Sequence, residues 1–573
     1  MRVLYIDLNR FDYHVEIRED LLHRYLGGVG AGIKILEEEC PPNTHPLSDK
    51  NVIILAVGPL TGKFPLASKT VALFKSPHTG NLGESHAGGR SAIAIASAGY
   101  GAIVIKGKSS IPVYLVIDEK GVKFRDASVL WGMRSTHTVG RIIREKEKGS
   151  GIRTIMRIGR AGEKRVSYAC VVTETYRHFG RLGLGAVFGS KNLKAILIYG
   201  KKSFKVKNSG YYNKTYKKIF KLAIESKKMR KYHDLGTAAN ILPLNKIKSL
   251  PTMNLKASEF DFANEISGEN LAEKFLGRRL ACSHCPVGCI HLAALRVPYE
   301  HEPYFYKTTY ISYDYELIFS LGSMLGVRSP DALLKLIGET EILGLDAISS
   351  GVSLAWATEA FKKGLISKKE SIVELEFGKW ENYIKALRYI VEQPNEFYSS
   401  LAKGCDFASK RFGGEEFALS FAGNEMAGYH TGPASYVNFL TGARHSHLDS
   451  AGYSYDQKIG EADPKKIANA LFTEESWRQI LSSLVVCFFA RGIYTEEIIK
   501  DSLESIGVTV EDLKRIGTRI LRDKYKFKFR EGFKFEKLRI PRRIFETEAH
   551  IKIDEKTVKE AINEYKRLLL GSV

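Results

Sequence analysis

The stretch Ala281-Cys282-Ser283-His284-Cys285-Pro286-Val287-Gly288-Cys289-Ile290 lies near the middle of a 573-residue chain and gathers three of its seven cysteines in the spacing C-x2-C-x3-C. The other four, Cys40, Cys170, Cys405 and Cys487, stand singly. Three thiolates held this close repel one another and oxidise readily unless positive charge lies between them. A metal ion or an iron–sulfur cluster supplies that charge. Gly288 lets the backbone turn tightly and Pro286 stiffens the loop. A cubane cluster needs four thiolates, so the fourth must come from elsewhere in the chain. Zinc held by the three cysteines with His284 or His291 is a second reading of the same residues. A disulfide with one free thiol is a third. No second C-x-x-C provides the paired half-sites usual in structural zinc. The spacing is also the reverse of the C-x3-C-x2-C of radical enzymes that cleave S-adenosylmethionine.

Working outward, the length predicts two to four domains and a large buried core. Hydrophobic residues make up 44% and charged residues 26%, an ordinary balance for a globular protein. The first residues read as a strand and lack the basic-then-apolar form of a signal peptide. The apolar run Ile480–Ala490 is too short to span a bilayer, so no membrane partner is expected. Cysteines concentrated in one thiolate cluster fit a reducing cytoplasm rather than a disulfide framework. The net charge is +22, from 86 Lys and Arg against 64 Asp and Glu. That field favours acidic partners. Nucleic acid is the common case, but no helix-turn-helix, RNA-binding or zinc-finger pattern points to it, and an acidic protein partner fits at least as well. Only three glutamines amid many Lys, Glu and Ile lean towards a thermophilic source.

Residues 1–205 read as a β-rich domain, with short apolar runs at 52–57, 70–74, 102–105, 113–117 and 195–198 bounded by glycine-rich turns. Residues 206–412 read as mostly helical, for example 210–228, 330–343 and 352–363. Residues 413–573 continue helical, with 464–473, 476–489 and 510–521 as the clearest spans. Lys524-Tyr-Lys-Phe-Lys-Phe-Arg530 alternates charge and aromatic residues and reads as a solvated strand or loop. Three glycine clusters, at 27–32, 80–89 and 180–185, have basic residues nearby in Lys75, Arg90, Arg177, Arg181 and Lys191. Close backbone approach with N–H donors and cations is how phosphates are cradled, although glycines at strand ends also simply make turns.

With the glycine clusters and cysteines both in view, the chain resembles the tungsten-containing aldehyde ferredoxin oxidoreductase family. The resemblance is densest in Tyr25-Leu-Gly-Gly-Val-Gly30, Val57-Gly-Pro-Leu-Thr-Gly62, Lys75-Ser-Pro-His-Thr-Gly80 and Ala98-Gly-Tyr-Gly-Ala-Ile-Val-Ile-Lys-Gly107. It continues through Ile158–Glu163, Gly180–Ala195, Ala281–Cys289, Tyr313–Glu316, Leu343–Ile348 and Arg515–Arg519. It implies an α+β protein in which a β-rich first domain covers a tungsten bis-pterin cofactor. A helical domain at 206–412 would carry the cysteine loop, and a helical domain at 413–573 would supply the fourth cysteine, Cys487. The resemblance thus favours a [4Fe-4S] cluster on Cys282, Cys285, Cys289 and Cys487. Pterin dithiolenes alone hold the metal in this family, so the protein's part is orientation and electrostatics.

Carried over by position, the first-domain pterin contacts fall on Lys69, His86, Gly88, Arg177 and Arg181. The family has arginine at the first of these and asparagine at the second. A backbone carbonyl at His86 could serve a Mg2+ between the pterin phosphates. The first pterin-gripping hexapeptide, typically D-x-x-G-L-D, falls on Glu341-Ile-Leu-Gly344-Leu345-Asp346. The second, typically D-x-x-G-L-C, falls on Ser482-Ser-Leu-Val485-Val486-Cys487, where only the cysteine survives. The family's catalytic glutamate and histidine match Glu316 and His447. The family's Tyr-Asp-Pro-Arg stretch reads Tyr429-His430-Thr431-Gly432 here, and the Arg-Gly-Trp ending of many members is replaced by Leu569–Val573. No histidine lies between His301 and His430, so a homodimer would lack the iron that bridges subunits in some members. The resemblance implies a cytoplasmic enzyme that oxidises an aldehyde and passes electrons to a ferredoxin. The departures in the second hexapeptide also suit a degenerate member that keeps the cluster as an electron-transfer or partner subunit.

Overall fold

A computed structural model describes every residue from Met1 to Gly571 except Thr175, Lys205, Lys207 and Glu511, with Pro303 described by its backbone alone. Ser572 and Val573, at the altered chain end, lie outside the described residues, as do Lys205 at the expected first boundary and Glu511 within the expected helix 510–521.

Two mixed six-stranded sheets form the first part of the chain. One runs, in spatial order, Asp12–Ile17, Arg2–Asp7, Ala102–Lys106, Ile53–Ala56, Thr70–Lys75 and Leu82–Ala87. The other runs His178–Phe179, Val171–Val172, Ile152–Ile158, Leu193–Gly200, Val113–Asp118 and Gly121–Asp126. Side chains alternate across a strand. Leu4, Ile6, Ile53, Leu55, Phe74 and Ile103 of the first sheet share one core with Leu115, Ile117, Met156 and Ile196 of the second. Val3, Tyr5, Ile54, Val71, Leu73 and Val104 point the other way, into the core of the helical body. The strand at 53–56 is therefore apolar without alternation because both of its faces are buried. The far face of the second sheet is closed by the helix Thr136–Lys146 through Val139 and Ile143.

Most of the remaining chain is helical, so the architecture is α+β. Three expectations need correction. A three-stranded antiparallel sheet, Leu276–Leu280, Ile290–Tyr299 and Glu302–Tyr313, interrupts the stretch read as mostly helical. Its long hairpin starts directly after Cys289, and its β-branched and aromatic residues favour strands. The segment 524–530 is neither strand nor loop but the end of the helix Leu513–Arg530. Lys524, Phe527 and Lys528 are buried on it, because Lys524 Nζ sits 2.5 Å from Glu84 Oε2 and Lys528 Nζ lies 2.6 Å from His445 Nε2. Of the three lysines, Lys524 is in a buried ion pair, Lys528 is buried against His445, and only Lys526 is solvated. The spans 464–473 and 476–489 are one helix, Pro464–Ser483, which stops before Cys487 because Val485 adopts φ +55°.

Candidate functional site

Leu66 joins the two cysteine-bearing segments. Its N–H donates to the carbonyl of His284 at 3.0 Å, and its carbonyl accepts from the N–H of Cys487 at 2.9 Å. One residue of the first domain therefore holds the 282–289 loop and the end of the Pro464–Ser483 helix side by side. The loop is fixed again by Ser283 N–H donating to Gly89 at 2.9 Å. Next to it, a Cβ on Gly88 would stand 2.9 Å from the Cys282 sulfur, so a side chain there would press on the thiol. Arg177 Nη2 lies 3.9 Å from Cys289 Sγ. Burial works against the Arg177 charge, yet Cys289, Cys282 and Asp314 beside it raise its pKa overall. Burial pushes the Cys285 thiol up to about 12 and the Cys289 thiol to about 11. Such thiols ionise only when a strongly positive centre binds them. The His291 ring nitrogens lie 3.2 Å from the Cys289 carbonyl and 3.0 Å from the His233 carbonyl, which commits them to backbone. Among the described residues no three or more His, Cys, Asp or Glu side chains are drawn together tightly enough to hold a single metal ion.

The two hexapeptides share a local design. In the first, Gly344 ends the helix Pro330–Leu343 in the left-handed conformation at φ +76°, and Asp346 caps the next helix, Ala347–Lys362. The Asp346 carboxylate accepts from the N–H groups of Ile348 and Ser349 at 3.2 Å and from Ser349 Oγ at 2.6 Å. Arg181 Nε stands 3.5 Å from the same carboxylate, and Leu345 is buried beneath the turn. In the second, Val485 stands where the resemblance places a glycine and has a left-handed backbone, while Cys487 precedes the short turn Phe488–Ala490 without a side-chain capping bond. The turn therefore survives the loss of its glycine, at the strain a β-branched residue carries there. Nothing in the structure explains the serine at position 482.

Glu316 and His447 meet. Asp314 caps the helix Tyr315–Leu321, accepting from the N–H groups of Glu316 and Leu317, and so points Glu316 inward from the first turn. Glu316 Oε2 accepts from Gly428 N–H at 3.2 Å, and Oε1 lies 3.4 Å from His447 Nε2. Burial raises the Glu316 pKa to about 8. Burial, reinforced by Arg181, Arg444 and Arg478, keeps His447 well below its usual range and hence neutral. Tyr429 stacks on Tyr453 at 4.0 Å and stands 5.3 Å from the His447 ring, and Tyr315 closes the group.

Several buried atoms around these residues have no hydrogen-bond partner among the described residues: Arg181 Nε and Nη1, Glu316 Oε1, Glu341 Oε1 and His447 Nδ1. A folded protein rarely leaves such groups unpaired, so they mark where a bound group would be received. Arg181 Nη1, which unlike Nε has no carboxylate beside it, suits an anionic part of a pterin cofactor, and the cysteines, with Cys487 and Cys282 acting electrostatically on Cys285 and Cys289, suit a cluster. Both sets of residues fit the groups that the sequence implies. His86 is less available than expected. Its Nε2 lies 2.7 Å from Glu84 Oε1, and burial lowers its pKa to about 4. Lys69 lies with its ammonium 5.2 Å from the Phe488 ring, beside the second hexapeptide. Glu341 Oε1 is 3.7 Å from His178 Nε2 and 3.9 Å from His137 Nε2.

Two of the glycine clusters, 27–32 and 180–185, together with Gly58, serve close backbone packing. Cβ atoms on Gly28 or Gly58 would stand 2.4 Å from the Ser483 carbonyl, and one on Gly183 would stand 2.0 Å from the Ser167 carbonyl. Lys75 is paired with buried Glu531, and Lys191 donates to the carbonyls of Asp49 and Gly107. Neither cation is free for a phosphate. Arg444, Asp449, Asp314 and Tyr453 were missed by sequence reading. Arg444 lies 2.6 Å from Asp449 and 3.6 Å from Glu84, which fixes the loop carrying His447. Two charged residues flanking the Arg444-His-Ser-His447 motif were the available signal.

Residues 3–200 match the family model described as the aldehyde ferredoxin oxidoreductase N-terminal domain, and residues 214–569 match the model for domains 2 and 3. The tungsten-containing aldehyde ferredoxin oxidoreductase of Pyrococcus furiosus is 30% identical over 558 residues, 93% of this chain and 89% of that one. The aliphatic sulfonate oxidoreductase WOR-like subunit of the same organism is 30% identical over 556 residues, 91% of this chain and 84% of that one. Among solved structures, the active-site complex BamBC of benzoyl-coenzyme A reductase with 1,5-dienoyl-CoA superposes with a TM-score of 0.84 at 21% identity. That match covers 99% of this chain and 94% of that one, and it shows a shared fold.

Proposed function

The chain belongs to the aldehyde ferredoxin oxidoreductase family, and from that premise we propose that it is a tungstopterin enzyme oxidising an aldehyde with water to a carboxylic acid. Two electrons and two protons leave in that reaction, and the electrons pass through a [4Fe-4S] cluster to an acidic ferredoxin. The observation that carries this reading is a continuous line of neighbours. Cys289 adjoins Arg177, Arg177 interacts with Asp314, Asp314 caps the turn that holds Glu316, and Glu316 meets His447.

When bound, the tungstopterin supplies two-electron redox chemistry. The chain's own residues supply the rest. Arg181, Lys69 and Arg177 would hold anionic parts of the cofactor, with Gly88, Gly344 and Leu345 shaping the backbone around it. Neutral His447 orients the aldehyde carbonyl by donating a hydrogen bond to its oxygen. Glu316, whose carboxylate form grows in as pH rises through about 8, would take a proton from water or the hydrated aldehyde at Oε1, which has no hydrogen-bond partner among the described residues. Cys282, Cys285, Cys289 and Cys487 would hold the cluster, which would supply one-electron transfer.

One observation favours a second reading, in which the chain is a cluster-bearing partner subunit: Ser482 replaces the carboxylate of the second hexapeptide. Aldehyde-dependent reduction of benzyl viologen by the purified protein separates the two. Turnover supports the enzyme. A cluster without tungsten or turnover supports the subunit.

A further inference from the structure

We propose that the cleft walled by Arg90, Arg144, Arg153 and Ser283 is the socket in which an acidic electron-carrier protein docks by a surface carboxylate. The proposal rests on reading the four cysteines as the exit for electrons. The cleft has a volume of about 430 Å³, and no acidic side chain lines it. It can admit a carboxylate side chain but not a domain.

Its charge is uncompensated. Among the described residues, neither the Arg90 nor the Arg144 guanidinium forms an ion pair. Arg153 Nη1 donates only to the carbonyls of Arg144 at 3.4 Å and Glu147 at 3.1 Å. The carboxylates nearest in sequence face elsewhere. Glu147 accepts from Tyr114 Oη at 2.7 Å and Arg125 at 3.2 Å, and Glu145 lies 3.9 Å from Arg141. Three guanidiniums without an internal anion repel one another, and an incoming carboxylate relieves that repulsion while gaining bidentate hydrogen bonds.

Its position is at the thiol site. Ser283 follows Cys282 in the chain and donates to Gly89, whose neighbour is Arg90. Gly88, next again, packs against the Cys282 sulfur. Arg90 therefore stands on the segment that backs the cluster loop, and a protein held there faces Cys282 across a short stretch of backbone. Gly149 and Gly151 in the opposite wall add no side chain to hold a partner off. The excess of positive charge over the whole chain would steer an acidic protein to this face.

The test uses the holoenzyme with an acidic ferredoxin as carrier and benzyl viologen as a dye that needs no docking. In the double variant Arg90→Glu/Arg144→Glu, KM for ferredoxin should rise by roughly tenfold or more, and the fall of its reduction rate with salt should flatten. Viologen reduction should stay at the parent level. An unchanged ferredoxin KM with intact viologen activity overturns the proposal. If the parent turns over no aldehyde, the fault lies with the proposed reaction, and the socket is judged by ferredoxin binding at low salt. Binding weakened tenfold in the variant supports the socket, and equal binding overturns it. Inorganic phosphate bound by the parent and not by the variant, with ferredoxin binding equal in both, would overturn the socket and make the cleft a small-anion site.

Discussion

His447 Nε2 lies 3.4 Å from Glu316 Oε1, and neither Glu316 Oε1 nor His447 Nδ1 has a hydrogen-bond partner among the described residues. The pair comes from distant segments, one on a capped helix start and one on a loop braced by Arg444 and Asp449. Neutral histidine beside a carboxyl of raised pKa is an acid–base arrangement rather than an ion pair.

Glu316→Gln keeps the shape of the side chain and removes the base. Turnover should fall by roughly 10²-fold or more, with tungsten and iron content unchanged. Parent-level activity in this variant would remove Glu316 from the mechanism.

Glu316 also makes a prediction about pH. Its pKa rises from 4.5 to about 8 on folding, so between those values the folded state keeps a proton that the unfolded state has lost. Its contribution to stability is therefore present at low pH and is lost as pH rises through that window, by at most about 1.4 kcal/mol per pH unit. Denaturant unfolding of the cofactor-free protein from pH 5 to 8 should show Glu316→Gln gaining on the parent as pH rises. Parallel pH profiles would mean that Glu316 is ionised in the fold.

The cluster prediction separates Cys487 from the other singletons. Cys487→Ser should abolish the electron paramagnetic resonance signal of a reduced [4Fe-4S] cluster. Cys405→Ser, at a buried position in another helix, should leave it intact. A full signal in the Cys487 variant would reassign the fourth ligand.

Much of this was legible in the sequence and some was not, for physical reasons. The C-x2-C-x3-C spacing is local, so three thiols could be read together. The partnership of Cys487 with them depends on Leu66, whose backbone pairs with both segments, and no spacing rule carries that. The Lys524–Arg530 alternation misled because buried lysines and solvated lysines look alike until Glu84 and His445 are found opposite them. The glycine clusters suit phosphates by composition, yet Gly27, Gly28, Gly30, Gly183 and Gly185 meet backbone of neighbouring segments, which sequence does not distinguish.

Val485 offers a direct check on the second hexapeptide. Its left-handed backbone costs a β-branched residue more than it costs glycine. Val485 is also buried, so Val485→Ala, which keeps most of the strain and loses two methyls, should lower unfolding free energy by about 2 kcal/mol. Val485→Gly loses the same methyls but relieves about 1–2 kcal/mol of strain, so it should be the less destabilising of the two. A glycine variant less stable than the alanine variant would mean that position 485 carries no such strain.

The ion pair between Lys524 and Glu84 is buried on both sides. Lys524→Met should cost about 3 kcal/mol, because buried Glu84 Oε2 loses its cation and the carboxylate keeps only Arg444 at 3.6 Å and His86 on its other oxygen. Restoration of stability by the added change Glu84→Gln would show that the stranded charge is the cause. No rescue would point to lost packing.

The most direct measurement is the metal content of the protein purified without oxygen from cells supplied with tungstate. The account predicts about one tungsten and about four irons per chain, lost separately when the pterin or cluster residues are changed. Zinc in place of iron, or iron with no tungsten, would contradict it.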